Sequence, residues 1–388
     1  YVMYDADGKY TGASWMTTYD KSISVPAGYT LRLRAIGNNG NYARACLFAV
    51  NDVFEVKENS EHPFTSMFLA PDESCITKNL RNSETTVRFD QNEDYSLYNA
   101  LGELTSDGRG FYANIPANGY AKLTAGHNTS RTFHTVPGEV EFERIDSDEK
   151  HTYKVTNNGT AEYSLSSDGY YAYIMFSESG NFISSSYYTN SRITIPINGY
   201  AYISPYYSDY SVAEDANLTL EETNQPLYNM VRIPEQGTYN FNNTSSVDMN
   251  IAIYCPTYGL DHNSPNMSGR TAYGYYDYVI YNADGSVRSY KQATNDDSIT
   301  VPTGCTAVIT ASWLAGIEMG VRYWSDYFTA EQTEESAYFK TNITDGESVL
   351  IRNNTSETHS IKLSNAVNLN SVYNVCISDY VIYDSNSF

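Results

Sequence analysis

One pattern of apolar and polar positions occurs four times along the chain and predicts short β-strands separated by turns. Its clearest copy begins with the aromatic and β-branched run Tyr278-Val-Ile-Tyr281, turns at Asn282-Ala-Asp-Gly285, and resumes at Ser298-Ile-Thr-Val301. Alternation with a period of two places every second side chain on one face of a strand. Pro302 and Gly304 end this strand, and a further strand is predicted from Cys305 to Thr310.

The other copies keep the same order of an aromatic strand, a turn, a strand that ends in proline, and a strand that starts after glycine. They begin at Tyr1, Tyr98 and Ala172, and an incomplete fifth copy begins at Tyr380. Their spacing matches the size of small β-sandwich modules. Antiparallel sandwiches are the expected arrangement for short alternating strands joined by turns.

We therefore predict an all-β chain of tandem antiparallel β-sandwich units built from an internal repeat. The predicted units are residues 1–73, residues 74–148, residues 149–232, residues 233–344 with an insertion, and a final hairpin and strand in residues 345–388. The strongest helix signal in the chain is weak and lies between Thr329 and Lys340, where several glutamates cluster.

The two ends of the chain complement each other in this division. Hairpins open the third and fourth units at residues 152–165 and 238–251, whereas the first unit has none and residues 348–363 supply a spare one. Two interpretations stay open. Either the C-terminal hairpin completes the first unit, which removes two unpaired sheet edges, or the chain was cut from a longer array.

Charge and composition restrict the partners and the compartment. The formal net charge is −22, so nucleic acid and anionic membranes would be repelled. We find no apolar run near the roughly 18 residues of a membrane-spanning helix and no signal peptide at Tyr1, and we expect a mature or excised piece of a secreted protein. Five cysteines in strand-like contexts favour buried free thiols over disulfides, which suits an exported protein of an anaerobic habitat.

Familiar catalytic and metal-binding motifs do not occur in the sequence. His127 and His134 are close in sequence, but surface or hydrogen-bonded histidines are the favoured interpretation over a metal site. The turns Asp5-Ala-Asp-Gly8 and Asn282-Ala-Asp-Gly285 lack the further oxygen ligands of a calcium loop, so turn residues account for them better. A pair of glycosidase carboxylates is recognised by its separation in space, yet short repeats without a large pocket-forming segment argue against an enzyme. We expect no cofactor and no metal.

Aromatic residues in the variable segments are the candidate ligand-binding residues. They are Trp15, Tyr19, Tyr187, Tyr188, Trp313, Tyr323 and Trp324. Tyr327 lies in the same segment as the last three. An aromatic ring stacks on the apolar face of a pyranose while neighbouring polar groups bind its hydroxyls, and a neutral polysaccharide suits the acidic chain. The alternative is that these rings belong to the core of a sandwich. For Trp313 the two interpretations are equally open, whereas for Trp15 and Trp324 ligand binding is favoured.

The tyrosine-rich repeats resemble a family of bacterial surface proteins. The motif Tyr1-Val-Met-Tyr-Asp-Ala-Asp-Gly8, the motif Val25-Pro-Ala-Gly-Tyr29, the acidic bias and the tryptophans in variable segments look like the non-catalytic glycan-binding proteins of gut anaerobes, in particular the starch-adherence proteins of amylosomes. The resemblance implies two lobes with a groove for starch or another α-glucan, attachment to the cell surface, and contacts with other surface-assembly proteins. A structural stalk or adhesin and a phage receptor-binding module stay open as alternatives.

Overall fold

The structure is a computed structural model. It describes residues 2–8, 10–13, 23–32, 65–126, 129–135, 138–145, 151–165, 169–206, 216–223, 225–258, 272–313 and 317–338. A first compact unit spans Tyr1–Ala337, and a second, Tyr338–Phe388, lies almost wholly outside the described residues. The interpretation of the C-terminal hairpin therefore concerns residues outside the description.

Every regular element in the described part of the chain is a β-strand. The strands are β1 (Val2–Tyr4), β2 (Tyr10–Ala13), β3 (Thr30–Arg32), β4 (Thr65–Leu69), β5 (Ser74–Asn79), β6 (Thr85–Tyr98), β7 (Leu104–Ile115), β8 (Tyr120–Thr124), β9 (Arg131–Thr135), β10 (Val140–Ile145), β11 (Thr152–Asn157), β12 (Tyr163–Leu165), β13 (Tyr171–Phe176), β14 (Phe182–Thr189), β15 (Ile193–Ile195), β16 (Tyr200–Pro205), β17 (Leu218–Thr223), β18 (Tyr228–Pro234), β19 (Thr238–Asn243), β20 (Met249–Tyr254), β21 (Thr257–Tyr258), β22 (Ala272–Tyr273), β23 (Tyr275–Tyr281), β24 (Val287–Thr294), β25 (Ser298–Val301), β26 (Thr306–Trp313), β27 (Glu318–Trp324) and β28 (Phe328–Thr333). The all-β prediction is confirmed.

The C-terminal part of the described chain is a sandwich of two antiparallel sheets. One sheet has the order β18-β27-β20-β25 and the other β24-β23-β26-β19-β28. A single apolar cluster joins them, with Val321 and Ile251 from the first sheet and Phe241 and Ile309 from the second, all fully buried. Because strands in each sheet alternate, their inward side chains meet in this shared core.

The preceding units keep the same relative strand order. The sheet β14-β13-β16-β11-β17 matches β24-β23-β26-β19-β28 strand for strand, and the short pair β12-β15 lies in the position of β20-β25. In the second unit β7-β6-β8-β5-β10 follow that order as well, while the long β6 also pairs with β9, which carries β4. The two-lobe arrangement stays a prediction.

Two of the predicted hairpins are connections between sheets. The arms around Asn157 and Asn243 do not pair with each other: β11 and β19 lie in the five-stranded sheets, and β12 and β20 in the opposite layers. The turns at Pro196 and Pro302 also cross between layers, because β15 and β25 lie opposite β16 and β26. Alternation identifies the strands, but it cannot distinguish pairing in one sheet from packing across two.

A buried asparagine holds each of these crossings. Asn157 is fully buried; its Nδ2 donates to the carbonyls of Ala161 and Ile195, at 2.9 and 3.1 Å, and its Oδ1 accepts from the Gly159 amide at 2.9 Å. One side chain of β11 thereby satisfies backbone groups of the turn and of β15 in the opposite layer, which stabilises the crossing. The equivalent bonds are made by Asn79 and Asn243.

The structure corrects three further expectations. β4 pairs with β9 of the second unit, and β18 pairs with β27 of the fourth. The boundaries predicted at 73/74 and 232/233 therefore lie earlier in the chain. The helix predicted from Thr329 is wrong, since β28 pairs with β19 over Phe328–Thr333.

The three described cysteines are free thiols, as predicted. Cys75 and Cys305 are buried and Cys255 is half-buried. Burial raises the pKa of the Cys75 thiol to about 11. The described residues contain no helix with the length and apolarity of a membrane span.

Candidate functional site

Trp324, expected on the surface, is an interior residue. Only 1% of its surface is exposed, and its indole stacks on the Tyr187 ring at 4.1 Å between centroids and 10° between planes. The Tyr187 hydroxyl donates to the Asn250 carbonyl at 2.9 Å. The expected accessibility of Trp324 is wrong because β14 of the third unit covers the outer face of β27. Tyr187 and Trp324 form a contact between units and offer no stacking surface to a ligand.

Two other predicted residues also make protein contacts. Tyr323 is half-buried and packs edge-on against Phe241 and Phe328, at 5.7 and 6.5 Å between centroids, inside the fourth sandwich. Tyr188 stacks on Tyr170 at 4.3 Å. The structure therefore does not bring these two rings together in one groove.

Three predicted residues receive no structural test. Trp15 and Tyr19 lie outside the described residues, and Trp313 is described only as the last backbone position of β26.

His134 takes part in a buried hydrogen bond. Its Nδ1 lies 2.8 Å from the Ser66 hydroxyl, across the β4–β9 pairing, and burial lowers the pKa of its imidazole to about 3. His127 lies outside the description. In the described ranges, no group of three or more His, Cys, Asp or Glu residues could hold a metal ion.

Burial of His134 predicts a loss of stability in acid. An unfolded histidine binds a proton below about pH 6.5, whereas the folded imidazole stays neutral down to about pH 3. The unfolded state therefore binds more protons in this window, and the free energy of unfolding falls by up to about 1.4 kcal/mol per pH unit as the pH is lowered. Urea unfolding at pH 7.0 and 4.5 should show that the parent loses about 2–3 kcal/mol more than His134→Gln. Equal losses would contradict the assignment.

An open cleft lies between the third and fourth units. Its volume is about 230 Å³, and one wall comes from β13, β14, the turn between them and β16, while the other comes from the β19–β20 crossing and the β27–β28 turn. The lining residues are Phe176, Gly180, Phe182, Tyr200, Thr244, Ser245, Ser246, Val247, Met249, Asp326 and Tyr327. Half-buried rings and exposed polar groups occur together here.

The aromatic floor of the cleft is a row across three strands. Phe176 lies opposite Phe182 on one neighbouring strand and opposite Tyr200 on the other. Side chains directly opposite on one face of a sheet are in contact, and the rings of Phe176 and Tyr200 stack at 5.2 Å and 27°. Tyr327 packs on Phe176 from the fourth unit at 5.9 Å and 28°. Phe176 is thus enclosed, and the other three rings reach the cleft.

The polar rim is fixed by backbone hydrogen bonds. The Thr244 amide donates to the Tyr327 carbonyl at 2.9 Å, which ties the β19–β20 crossing to the β27–β28 turn. The Ser245 hydroxyl bonds to Asn243 Oδ1 and to the Val247 carbonyl, at 2.6 and 2.8 Å. Thr244, Ser246 and Asp326 are exposed beside these anchored groups. The rim therefore presents preorganised hydroxyl and carboxylate groups above the rings.

The phenol of Tyr327 is a permanent hydrogen-bond donor at neutral pH. Burial, together with Tyr200, Asp326 and Tyr202, raises its pKa well above the ordinary value of a tyrosine. Burial and Asp326 also raise the pKa of Tyr202. Because neither phenol ionises at neutral pH, the Tyr327 hydroxyl in the cleft stays neutral, as does that of Tyr202, which packs against Tyr200.

Sequence reasoning missed this row although the repeat contains its signal. An aromatic residue ends the first strand of the pattern at Tyr98, Phe176 and Tyr281, and tyrosine follows glycine at Tyr120 and Tyr200. The ligand-binding residues were predicted among the tryptophans and tyrosines of the variable segments, whereas the aromatic row of the cleft lies at the repeated positions.

Comparison with protein-family models, curated proteins and solved structures finds no match to this chain.

Proposed function

We propose that this protein is a non-catalytic carbohydrate-binding protein that holds a neutral polysaccharide, starch or another α-glucan first among them, in the cleft between its third and fourth units. The observation that carries the proposal is the combination of Phe182, Tyr200 and Tyr327 rings with the hydroxyl and carboxylate rim of Thr244, Ser246 and Asp326. Ligand sites join apolar walls to a few placed polar groups in this way.

The chemistry of the cleft fits a sugar better than an anion or a purely apolar ligand. Pyranose C–H groups pack on aromatic faces, and the ring hydroxyls both donate to Asp326 and accept from Ser246 and the Tyr327 phenol. A net charge of −22 disfavours anionic polymers. The volume of about 230 Å³ is below the ~300–1,000 Å³ of pockets that enclose drug-sized ligands, so the cleft suits a short stretch of a longer chain.

Binding without hydrolysis is supported by the carboxylates of the cleft. Among the described residues that line it, Asp326 is the single carboxylic acid. Retaining and inverting glycosidases both use a pair of carboxyl groups that flank the scissile bond. One rim carboxylate serves as a hydrogen-bond acceptor for sugar hydroxyls.

The proposal extends to the place where the protein acts. The resemblance of the repeats to bacterial starch-adherence proteins supports a secreted protein on the cell surface of a gut anaerobe, with other surface-assembly proteins as partners and without membrane insertion. A stalk or adhesin and a phage receptor-binding module are the alternative functions, and the binding experiment below separates them from a glycan-binding protein.

Filling the cleft should weaken glycan binding without unfolding the protein. Ser246 is exposed on the rim, and Ser246→Arg would place a long side chain over Tyr327 and Phe182. We expect the affinity for soluble amylopectin to fall at least tenfold, a change of about 1.4 kcal/mol, in affinity gel electrophoresis. Asp326→Ala should weaken binding less, because it removes one acceptor and leaves the rings in place.

The matched control is Ser289→Arg, which adds the same side chain at an exposed position of β24. It should bind as the parent does, and all three variants should melt within a few degrees of the parent. A parent protein that stays in solution with insoluble starch, cellulose and xylan would favour a stalk. If Ser246→Arg retains full affinity, the cleft is not the site.

A further inference from the structure

The aromatic row of the cleft has a counterpart in the second unit. In β6, Tyr98 lies opposite Leu104 on one side and opposite Tyr120 on the other, as Phe176 lies between Phe182 and Tyr200. The Tyr98 and Tyr120 rings stack at 4.5 Å and 11°. The register shift before the central residue is also the same, between Leu97 and Tyr98 and between Met175 and Phe176.

The turn beside each row is built alike. Gly102 and Gly180 have φ angles of 80° and 77°. Each glycine amide donates a hydrogen bond of 3.0 Å to the carbonyl of the residue three positions earlier. A Cβ at these glycines would lie 3.9 Å from the Tyr120 hydroxyl and 3.8 Å from the Tyr200 hydroxyl. The second unit therefore reproduces the turn of one wall of the cleft, and its stacked ring pair has a centroid distance of 4.5 Å against 5.2 Å in the cleft.

The second row is more open than the first. Tyr98 is half-buried where Phe176 is 5% exposed, and Leu104 and Leu101 are 55% and 82% exposed. The adjacent turn places an exposed carboxylate at Glu103, whose Oε2 accepts from Asn99 Nδ2 at 2.8 Å. Apolar side chains, two stacked phenols and a carboxylate acceptor thus occur at one accessible end of the sheet, in the row and in the turn beside it.

The fourth unit lacks this arrangement. At the equivalent positions Tyr281 lies between Val287 and Thr306, so a threonine stands where Tyr120 and Tyr200 stand in the second and third units. The tyrosine pair is therefore not required by the β-sandwich itself, because the fourth unit folds without it.

We infer that the row Leu104-Tyr98-Tyr120 is a second binding site for pyranose rings of a neutral glycan. This inference rests on the proposed function, and it makes the protein bivalent. Two weak sites on one chain hold a polymer more tightly than either alone, because binding at the second becomes intramolecular after the first is occupied. Short oligosaccharides, which reach one site at a time, gain nothing from this.

Affinity electrophoresis in gels that contain soluble amylopectin tests the second site. Leu104→Arg keeps both tyrosines and lays a charged chain across them, and Tyr120→Ser removes one ring of the stack. Val287→Arg, the same substitution in the unit without the tyrosine pair, is the matched control. We expect Leu104→Arg and Tyr120→Ser each to lower the polymer affinity about tenfold, Val287→Arg to leave it unchanged, and Leu104→Arg with Ser246→Arg to abolish retardation.

The outcomes separate the two sites. If Ser246→Arg loses binding while Leu104→Arg and Tyr120→Ser bind as the parent does, the second site is overturned and the cleft stands. If Leu104→Arg loses binding and Ser246→Arg does not, the second row stands and the cleft fails. A parent that amylopectin does not retard overturns both. Leu104→Arg keeps the test valid if Tyr120→Ser fails to fold, because its position is exposed.

Discussion

Replacing Trp324 with alanine should destabilise the protein strongly instead of removing a ligand contact. The indole is 1% exposed and fills the space between β27 and the Tyr187 ring. Truncating a buried tryptophan to alanine loses the transfer free energy of the ring and leaves a cavity, at a cost of about 3–5 kcal/mol. We expect a loss of this size in the free energy of unfolding, measured by urea denaturation and circular dichroism.

Two further substitutions make this prediction specific. Trp324→Phe keeps an aromatic ring against Tyr187, and because the indole Nε1 has no protein acceptor among the described residues, it forfeits no protein hydrogen bond. Trp324→Phe should lower the free energy of unfolding by less than half as much as Trp324→Ala does. Tyr290→Ala, on the exposed side of β24, should change stability by less than about 1 kcal/mol. A stable Trp324→Ala variant with weakened glycan binding would restore the surface assignment.

The strands were predictable because alternation is a local property. Ser298-Ile-Thr-Val301 is β25 residue for residue, and the run predicted from Tyr278 lies within β23. In β25 the apolar residues are buried at every second position, as the sequence pattern requires, whereas in β23 the neighbours Val279 and Ile280 are both buried. The glutamates after Thr329 favoured a helix, but pairing with β19 decides the structure of β28. Propensity over one short segment yields to such long-range contacts.

The burial of Trp324 was not predictable because both faces of β27 are covered. Val321 and Tyr323 face the core of their own sandwich, while Arg322 and Trp324 face residues of the second and third units. A strand with one covered face shows alternation, whereas a strand covered on both faces carries large side chains at every position. The sequence marks Tyr323 and Trp324 as a cluster but contains no local signal of the neighbour that covers them.

The cleft was predictable in part. Its floor uses repeated positions whose adjacency follows once the order β14-β13-β16 is known. Its rim depends on the crossing at Asn243 and on the β27–β28 turn, which meet through the bond from Thr244 to Tyr327. Such contacts between distant segments arise from the packing of whole units, and a period of two along one strand does not encode them.

Arg322 should contribute more to the stability of the contacts among the second, third and fourth units than any other described polar side chain. It is 1% exposed, with its guanidinium 4.3 Å from the Tyr228 ring centroid and 5.3 Å from that of Tyr254. One Nη atom donates to the Tyr206 hydroxyl at 3.0 Å and the other to the Pro71 carbonyl at 3.3 Å. The Asp72 carboxylate lies 3.5 Å away. The cation is therefore enclosed by rings and acceptors from three units.

Removing this cation leaves the acceptors in a poorly solvated site. Arg322→Met keeps most of the side-chain volume but leaves Asp72 without its buried counter-charge, and breaking a buried ion pair from one side costs about 3–5 kcal/mol. Urea denaturation should show this loss. Arg288→Met, the same substitution at an exposed position of β24, should change stability by less than about 0.5 kcal/mol.

A double-mutant cycle separates the charge interaction from lost packing. Asp72 has a φ of 67°, a backbone conformation that asparagine also adopts, so Asp72→Asn removes the charge and keeps the turn. If Arg322→Met destabilises the protein because the Asp72 carboxylate has lost its counter-charge, the double variant Arg322→Met/Asp72→Asn should lose less free energy of unfolding than the two single variants together. The difference should be about 1–3 kcal/mol. Strict additivity would show that Arg322 acts through its contacts with Tyr228, Tyr254 and Tyr206 alone, since those contacts are lost equally in both backgrounds.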